Sequence, residues 1–351
     1  MAYLSFPNVK LAGVAAAVPK EIKEVKDLPV FVPGEAEKVI GLTHIERSRI
    51  APVGLCSSDL CYEAANRLIE ELNWERNDID ALVFVSLQRD YLLPASSCLL
   101  QHRLGLSTDC YAIDIPLGCS GYTYGLSVVS GLISNGGIKK ALLLVGEITS
   151  TFHSPLDKTI WPLIGDAGTA TAVEFDAGNE GIKFQMGTDG SRGGAIISPD
   201  GGARSPITTE SFEMKEVSPG ISRNKTHVIM DGLNVFSFSI TQPPKSMSDL
   251  CEKFKLDLES IDYFVMHQAN HYMDEKIGRK LKVDPNKIPY CLSEFGNTSC
   301  ATIPMTMATV MRDSIQKENL SLMLCSFGAG LSWGSAYLKT NGICCPALIE
   351  I

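Results

Sequence analysis

Ile79-Asp80-Ala81-Leu82-Val83-Phe84-Val85, preceded by Leu68-Ile69-Glu70-Glu71-Leu72, reads as an amphipathic helix, a polar turn and an apolar strand. Leu250-Cys251-Glu252-Lys253-Phe254, leading to Ile261-Asp262-Tyr263-Phe264-Val265-Met266-His267, repeats that order at a constant offset of 182 residues. Gly118-Cys119 then corresponds to Gly296-Asn297, and Leu142-Leu143-Leu144-Val145 to Leu320-Ser321-Leu322-Met323, both at an offset of 178. Such near-constant spacing points to a duplicated βα unit. Alternating strands and helices imply a mostly parallel α/β sheet covered on both faces, which suits the continuously apolar runs 141–145 and 322–325. The halves are expected at 1–176 and 177–351. No low-complexity linker separates them, so they form one body.

The composition narrows the function classes. At 351 residues and 45% hydrophobic content, with mean hydropathy near zero, the chain can bury a large core. No apolar run reaches the ~18 residues of a membrane span. A net charge of −9 argues against nucleic acid, and an acidic partner would need a local basic patch. Eleven cysteines, odd in number and without a CxxC pair, suit reduced thiols. The start, Met1-Ala2-Tyr3-Leu4-Ser5-Phe6-Pro7, lacks the charged region and long apolar stretch of a signal peptide. A cytoplasmic protein is expected.

Three reactive side chains stand at matching places in the repeat. Cys119 lies in Asp114-Ile115-Pro116-Leu117-Gly118-Cys119-Ser120-Gly121, between an apolar strand and a helix (Tyr122 to Ile133) rich in small residues. A helix N-terminus stabilises a thiolate, and flanking glycines let a substrate carbonyl approach the backbone. The plain alternative is a small buried hydrophobe. His267 ends the strand equivalent to 82–86; otherwise it is a satisfied core histidine. His271 follows four residues later, but a strand end does not give helical spacing and no third ligand is evident, so no metal is expected. Asn297, in Phe295-Gly296-Asn297-Thr298-Ser299-Cys300-Ala301, has a helix N-cap as its plain alternative. Ser326-Phe327-Gly328-Ala329-Gly330 is too short for a phosphate loop but can offer a backbone N–H to an oxyanion. The repeat brings these groups together at the C-terminal ends of strands.

Gly-Cys-Ser-Gly (118–121), His-Gln-Ala-Asn (267–270), Gly-Asn-Thr-Ser (296–299) and Phe-Gly-Ala-Gly-Leu-Ser-Trp-Gly-Ser-Ala (327–336) occur in that order. With Gly165-Asp166-Ala167-Gly168-Thr169-Ala170 they resemble the β-ketoacyl-acyl-carrier-protein synthase III family of thiolase-fold condensing enzymes, over nearly the whole chain. The resemblance implies a five-layered αβαβα homodimer of two related halves. It also implies a catalytic triad of Cys119, His267 and Asn297, with the N–H groups of Cys119 and Ala329 as oxyanion hole. An acyl group would pass to Cys119 and then condense with a decarboxylating malonyl thioester, without metal, nucleotide or flavin. Acyl carrier protein would be a partner, docked by Arg279 and Lys280, which share a helix face with Lys276. Leu93, before Pro94, would close the partner's acyl tunnel.

The chain departs from the family at the coenzyme A grip. Lys38, Leu42 and Tyr272 stand where a tryptophan and two arginines are usual, and Leu233 replaces a tunnel asparagine. Losing phosphate-binding arginines removes charge-assisted bonds. The alternative is a specialised ketosynthase of a secondary or cell-envelope pathway with a carrier-bound donor. A thiolase would need Cys325 as a second cysteine. A hydroxymethylglutaryl-CoA synthase would need a glutamate, for which Glu147 stands at a strand end, where it otherwise reads as a surface charge. A non-catalytic partner subunit is usually marked by loss of the cysteine or the His/Asn pair, and all three are kept.

Overall fold

The computed structural model describes residues 2–351. Leu142 and Leu144 pack outward with Leu82 and Phe84 against the helix Ser57–Leu72, whereas Leu143 and Val145 point inward with Val83 and Val85. This two-residue alternation is what a strand covered on both faces requires. The inward residues meet Tyr122, Leu126, Val129 and Ile133 of the helix Gly121–Ile133. The other side of that layer is Leu322, Leu324 and Ala336 of a second sheet. Beyond the second sheet, Met323 and Cys325 pack under Met247 and Leu250 of the helix Gln242–Phe254 and Ile277 of the helix His271–Leu281. Helix, sheet, helix, sheet, helix make five layers.

The six-stranded sheet is mostly parallel, as expected from alternating elements, with three of its five pairs parallel, whereas the five-stranded sheet is mostly antiparallel. The six-stranded sheet runs Ile349–Glu350, Val9–Val18, Ala167–Phe175, Lys140–Glu147, Ala81–Val85, Tyr111–Ile115. Ala167–Phe175 is antiparallel to both neighbours. The five-stranded sheet runs Ala2–Phe6, Ile182–Thr188, Ser332–Asn341, Asn319–Gly328, Tyr263–Met266, and only its last pair is parallel. Asn319–Gly328 and Ser332–Asn341 are joined by residues 329–331 alone, a link too short for a parallel crossover. The terminal strands are exchanged, with Ala2–Phe6 completing the second sheet and Ile349–Glu350 the first.

Close packing of the central helix positions the site. A Cβ on Gly125 would lie 2.7 Å from Leu143 Cδ1 and 2.8 Å from Val85 Cγ2. Alanine there would overpack the layer, at a typical cost of about 1–3 kcal/mol.

Candidate active site

Cys119 stands one residue before Ser120, the N-cap of the central helix, and is half-buried. The glycines beside it serve packing: a Cβ on Gly121 would meet Val85 Cγ1 at 2.6 Å, and one on Gly118 would meet Leu87 Cδ1 at 2.9 Å. Gly328 makes the closest approach, since its Cβ would sit 2.4 Å from Cys119 Cβ. That glycine lets the Ala329 N–H reach the sulfur. Burial pushes the Cys119 thiol above its ordinary value, opposed by the Ser299 hydroxyl and by the N–H groups of Cys119 and Ala329. The resting side chain is therefore a thiol, and its proton needs an acceptor.

His267 follows the strand Tyr263–Met266, with its N–H donating to the Cys325 carbonyl at 2.8 Å. Its ring is 2% exposed and packs edge-on against Phe327 at 5.3 Å. Burial pushes it down to about 4, opposed by the Ser299 carbonyl, so the imidazole is neutral. Nδ1 lies 3.1 Å from that carbonyl oxygen and 2.9 Å from the Thr302 hydroxyl, leaving Nε2 as the other ring nitrogen. His271 turns away from any shared ligand set and stacks on His44, with centroids 3.7 Å apart.

Asn297 is tied to the wall by its backbone, which donates to Leu163 at 2.7 Å and accepts from Gly165 at 3.1 Å. Its Oδ1 accepts the Ser299 N–H at 2.9 Å. This satisfies the amide oxygen and orients Nδ2 as a donor. Ser299 thus touches all three groups: its N–H holds Asn297, its carbonyl faces His267, and its Oγ lies 3.8 Å from Cys119 Sγ. It does so at φ +54°, left-handed backbone that a serine rarely adopts.

Cys119, Asn297, Ser299 and Ala329 line one cavity of about 130 Å³, walled mainly by apolar side chains such as Phe152, Ile160 and Val228. His267 does not line it. A second chamber of about 390 Å³ shares Leu87, Phe152, Ile196, Val228 and Ala329 with the first and is mostly apolar. In another direction Thr159 and Leu163 also line a mouth of about 370 Å³ with Lys38, Leu42 and Lys158. The cavity that Cys119 lines therefore shares walls with both of the others.

Comparison with known proteins gives this geometry its family. Models of 3-oxoacyl-[acyl-carrier-protein] synthase III match residues 113–190, and models of its C-terminal part match 251–340. A putative 3-oxoacyl-[acyl-carrier-protein] synthase 3 of Campylobacter jejuni is 32% identical over 342 residues, covering 95% of this chain and 94% of the relative. The chain belongs to the β-ketoacyl-acyl-carrier-protein synthase III family. A relative from Rhodopirellula baltica, named β-ketoacyl-[acyl-carrier-protein] synthase III, is 31% identical and covers 95% of this chain and 98% of its own. The crystal structure of a 3-oxoacyl-(acyl-carrier protein) synthase from Burkholderia xenovorans superposes with a TM-score of 0.93 at 34% identity, covering 100% of this chain and 99% of that one.

Against that family background, Leu42, Tyr272 and Leu233 are exposed, and Lys158 at the mouth is paired with Glu35 at 3.0 Å. Leu93 is 86% exposed and does not line the cavity of its own chain. Arg279 and Lys280 are exposed on the helix His271–Leu281, but Arg279 donates to Glu275 at 2.5 Å, which offsets part of its charge.

Glu147 is not a surface charge. It is fully buried, and burial pushes it up to about 8. Oε1 accepts from Ser86 at 3.0 Å, and Oε2 accepts from the N–H of Leu87 at 3.2 Å, so it braces the loop that carries Leu87. Cys325 is buried in the outer cluster with its thiol pushed up to about 12 by burial, away from the base position a thiolase would need. The sequence reading missed Ser299 and Thr302. Ser299 was visible as the last letter of Gly-Asn-Thr-Ser, but nothing local marks a serine as left-handed.

Proposed function

We propose that the chain is a β-ketoacyl-acyl-carrier-protein synthase III that works through Cys119, His267 and Asn297. The observation that carries this reading is the convergence of all three on Ser299 within a family-wide match. His267 takes the Cys119 proton as the sulfur attacks an acyl thioester. The N–H groups of Cys119 and Ala329 hold the oxyanion, the donor C–S bond breaks, and the leaving thiol takes the proton back. A malonyl thioester then loses carbon dioxide. Its enolate oxygen is held by His267 Nε2–H and the Asn297 amide, and the enolate carbon attacks the acyl group. The bond to Cys119 breaks as the β-ketoacyl thioester forms, and water returns the thiol proton. Two half-reactions at one sulfur make the kinetics ping-pong.

The reading carries further parts. The units of duplication are 1–176 and 177–351, the working form is a cytoplasmic homodimer, and no cofactor takes part. Acyl carrier protein meets Arg279 and Lys280, and Leu93 closes the partner's acyl passage. Exposed Leu42 and the paired Lys158 at the mouth favour a carrier-bound donor over coenzyme A, because Lys38 is, among the described residues, the one lysine lining it that is left without an ion pair to face a phosphate. The apolar second chamber favours starters longer than acetyl, since each added methylene it buries contributes about 0.8 kcal/mol.

Intact-protein mass spectrometry with a panel of acyl-coenzyme A and acyl-carrier thioesters tests this. One acyl adduct per chain is expected, lost in Cys119→Ser, and Leu93→Phe should shift the profile toward short chains. An adduct that persists in Cys119→Ser at the wild-type rate would place the chemistry on another residue.

A further inference from the structure

His267 Nδ1, the Ser299 carbonyl oxygen and the Thr302 hydroxyl form a closed triangle. The sides are 3.1 Å from nitrogen to carbonyl, 2.9 Å from nitrogen to hydroxyl, and 3.1 Å from hydroxyl to carbonyl. Thr302 is 1% exposed and His267 2%, so bulk water does not compete for these positions in the resting enzyme. The carbonyl can only accept, while the hydroxyl has one proton to direct either way.

Two proton arrangements satisfy this triangle. In one, Nδ1–H donates to the Ser299 carbonyl and the hydroxyl donates there too; Nε2 then carries a lone pair. In the other, the hydroxyl donates to Nδ1 and the single ring proton sits on Nε2. The two half-reactions ask for opposite tautomers. Accepting the proton of a protonated Cys119 needs a lone pair on Nε2, whereas holding an enolate oxygen needs a proton there.

The geometry points to Thr302 as the positioning residue that sets the balance between the two His267 tautomers, its hydroxyl favouring the Nε2–H form when it turns from the Ser299 carbonyl to Nδ1. The exchange passes through the doubly protonated ring, Nε2 taking a proton from water that enters after the first thiol leaves and Nδ1 releasing its own to water. No other donor meets Nδ1 among the hydrogen bonds of the described residues. Thr302 touches neither reactant and acts through the ring. The inference rests on the condensing-enzyme reading of the site and assigns it a proton-ordering device. The ring is neutral throughout the resting enzyme, so the position of one proton, rather than the charge, is the variable.

Thr302→Val keeps the shape and removes the proton that meets Nδ1, which forces Nδ1–H onto the carbonyl. Loss of one such hydrogen bond biases a tautomer by up to about tenfold. The test measures both half-reactions in full-length protein: acyl transfer to Cys119 by mass spectrometry, and labelled carbon dioxide released from malonyl thioester by the acyl-enzyme. In Thr302→Val, carbon dioxide release should fall about tenfold relative to acylation. Thr302→Ser should restore the ratio, and ring nitrogen NMR should find Nδ1 protonated in the valine variant. The ratio is taken within each variant, so a lower folded yield cancels. Equal losses in both half-reactions, a wild-type ratio in the valine variant, or failure of serine to rescue would overturn the inference while leaving the proposed function standing. A wild-type enzyme that neither takes an acyl group nor releases carbon dioxide would overturn both.

Discussion

The two junctions that the 178-residue offset pairs, at Cys119 and at Asn297, are built differently, and the expected strand before Asn297 is replaced by the short helix Leu292–Phe295. In the first half the chain leaves the strand Tyr111–Ile115, presents Cys119 and runs directly into the regular helix Gly121–Ile133. In the second half the same passage is broken. Gly296 and Ser299 have φ of +61° and +54°, and a 3-10 turn, Ser299–Ala301, precedes the short helix Thr302–Ala308. The regular junction leaves backbone N–H groups free for a single sulfur. The irregular one folds a serine inward so that its backbone orients an amide and an imidazole. The two places differ in local regularity, and that difference assigns their chemistry.

The sharpest way to break this comparison is Asn297→Ala. If the second junction serves only the enolate, carbon dioxide release should fall on the order of 10²–10³-fold, the usual effect of losing one oxyanion donor, while Cys119 acylation barely changes. Radiolabelled decarboxylation beside single-turnover acylation reads both. Equal losses would mean that the two junctions do not divide the work.

Gly328→Ala attacks the contact between the halves. Its new Cβ at 2.4 Å from Cys119 Cβ must displace the loop that carries the Ala329 N–H. Acylation should drop about 10²-fold with the fold retained, as judged by circular dichroism and single-turnover rates.

A third test uses strand ends at the 178-residue offset, where Glu147 stands in one half and Cys325 in the other. Glu147 is pushed up to about 8 when folded, against about 4.3 in an unfolded chain. The folded protein therefore keeps a proton that the unfolded chain releases. Stability from this group is full below pH ~4, is lost as pH rises to ~8, and amounts to a few kcal/mol. Cys325, pushed up to about 12, stays a thiol across that range. Glu147→Gln should flatten the fall in urea midpoint between about pH 5 and pH 8. The residual slope combines Asp166 and Asp274, which burial pushes up (Asp274 without a hydrogen-bond partner among the described residues), with His267 and His153, which burial pushes down and which act in the opposite sense. An unchanged slope in the glutamine variant would show that Glu147 ionises freely.

The smallest effect is expected outside the junctions. Reversing Arg279 and Lys280 to glutamate should raise KM for malonyl carrier protein several-fold, more at low salt, and leave acylation by a minimal pantetheine thioester little changed. The Glu275 pairing of Arg279 sets a modest size for this effect.

The fold class and the family were legible because they reside in residue type and spacing. Leu142 to Val145 announce a strand covered twice, and the four ordered motifs that mark the family carry Cys119, His267 and Asn297. The antiparallel strands were not legible, since a run of apolar residues reads the same along a parallel or an antiparallel neighbour. Glu147 was misread for a related reason: a single carboxylate at a strand end looks solvated until Ser86 and Leu87 are brought to it from another strand end.

The amino-acid sequence by itself determined the fold class and the family, through apolar runs and the motifs in which Cys119, His267 and Asn297 stand. These are properties of periodicity and residue chemistry within short windows. Only the tertiary structure decided that Ser299 would sit left-handed between three groups, that Gly328 would press on Cys119, and that Thr302 would face His267 Nδ1. Those contacts join residues 30 to more than 200 positions apart. They exist because two sheets close on one layer of helices, and packing at that density leaves each side chain little choice of neighbour.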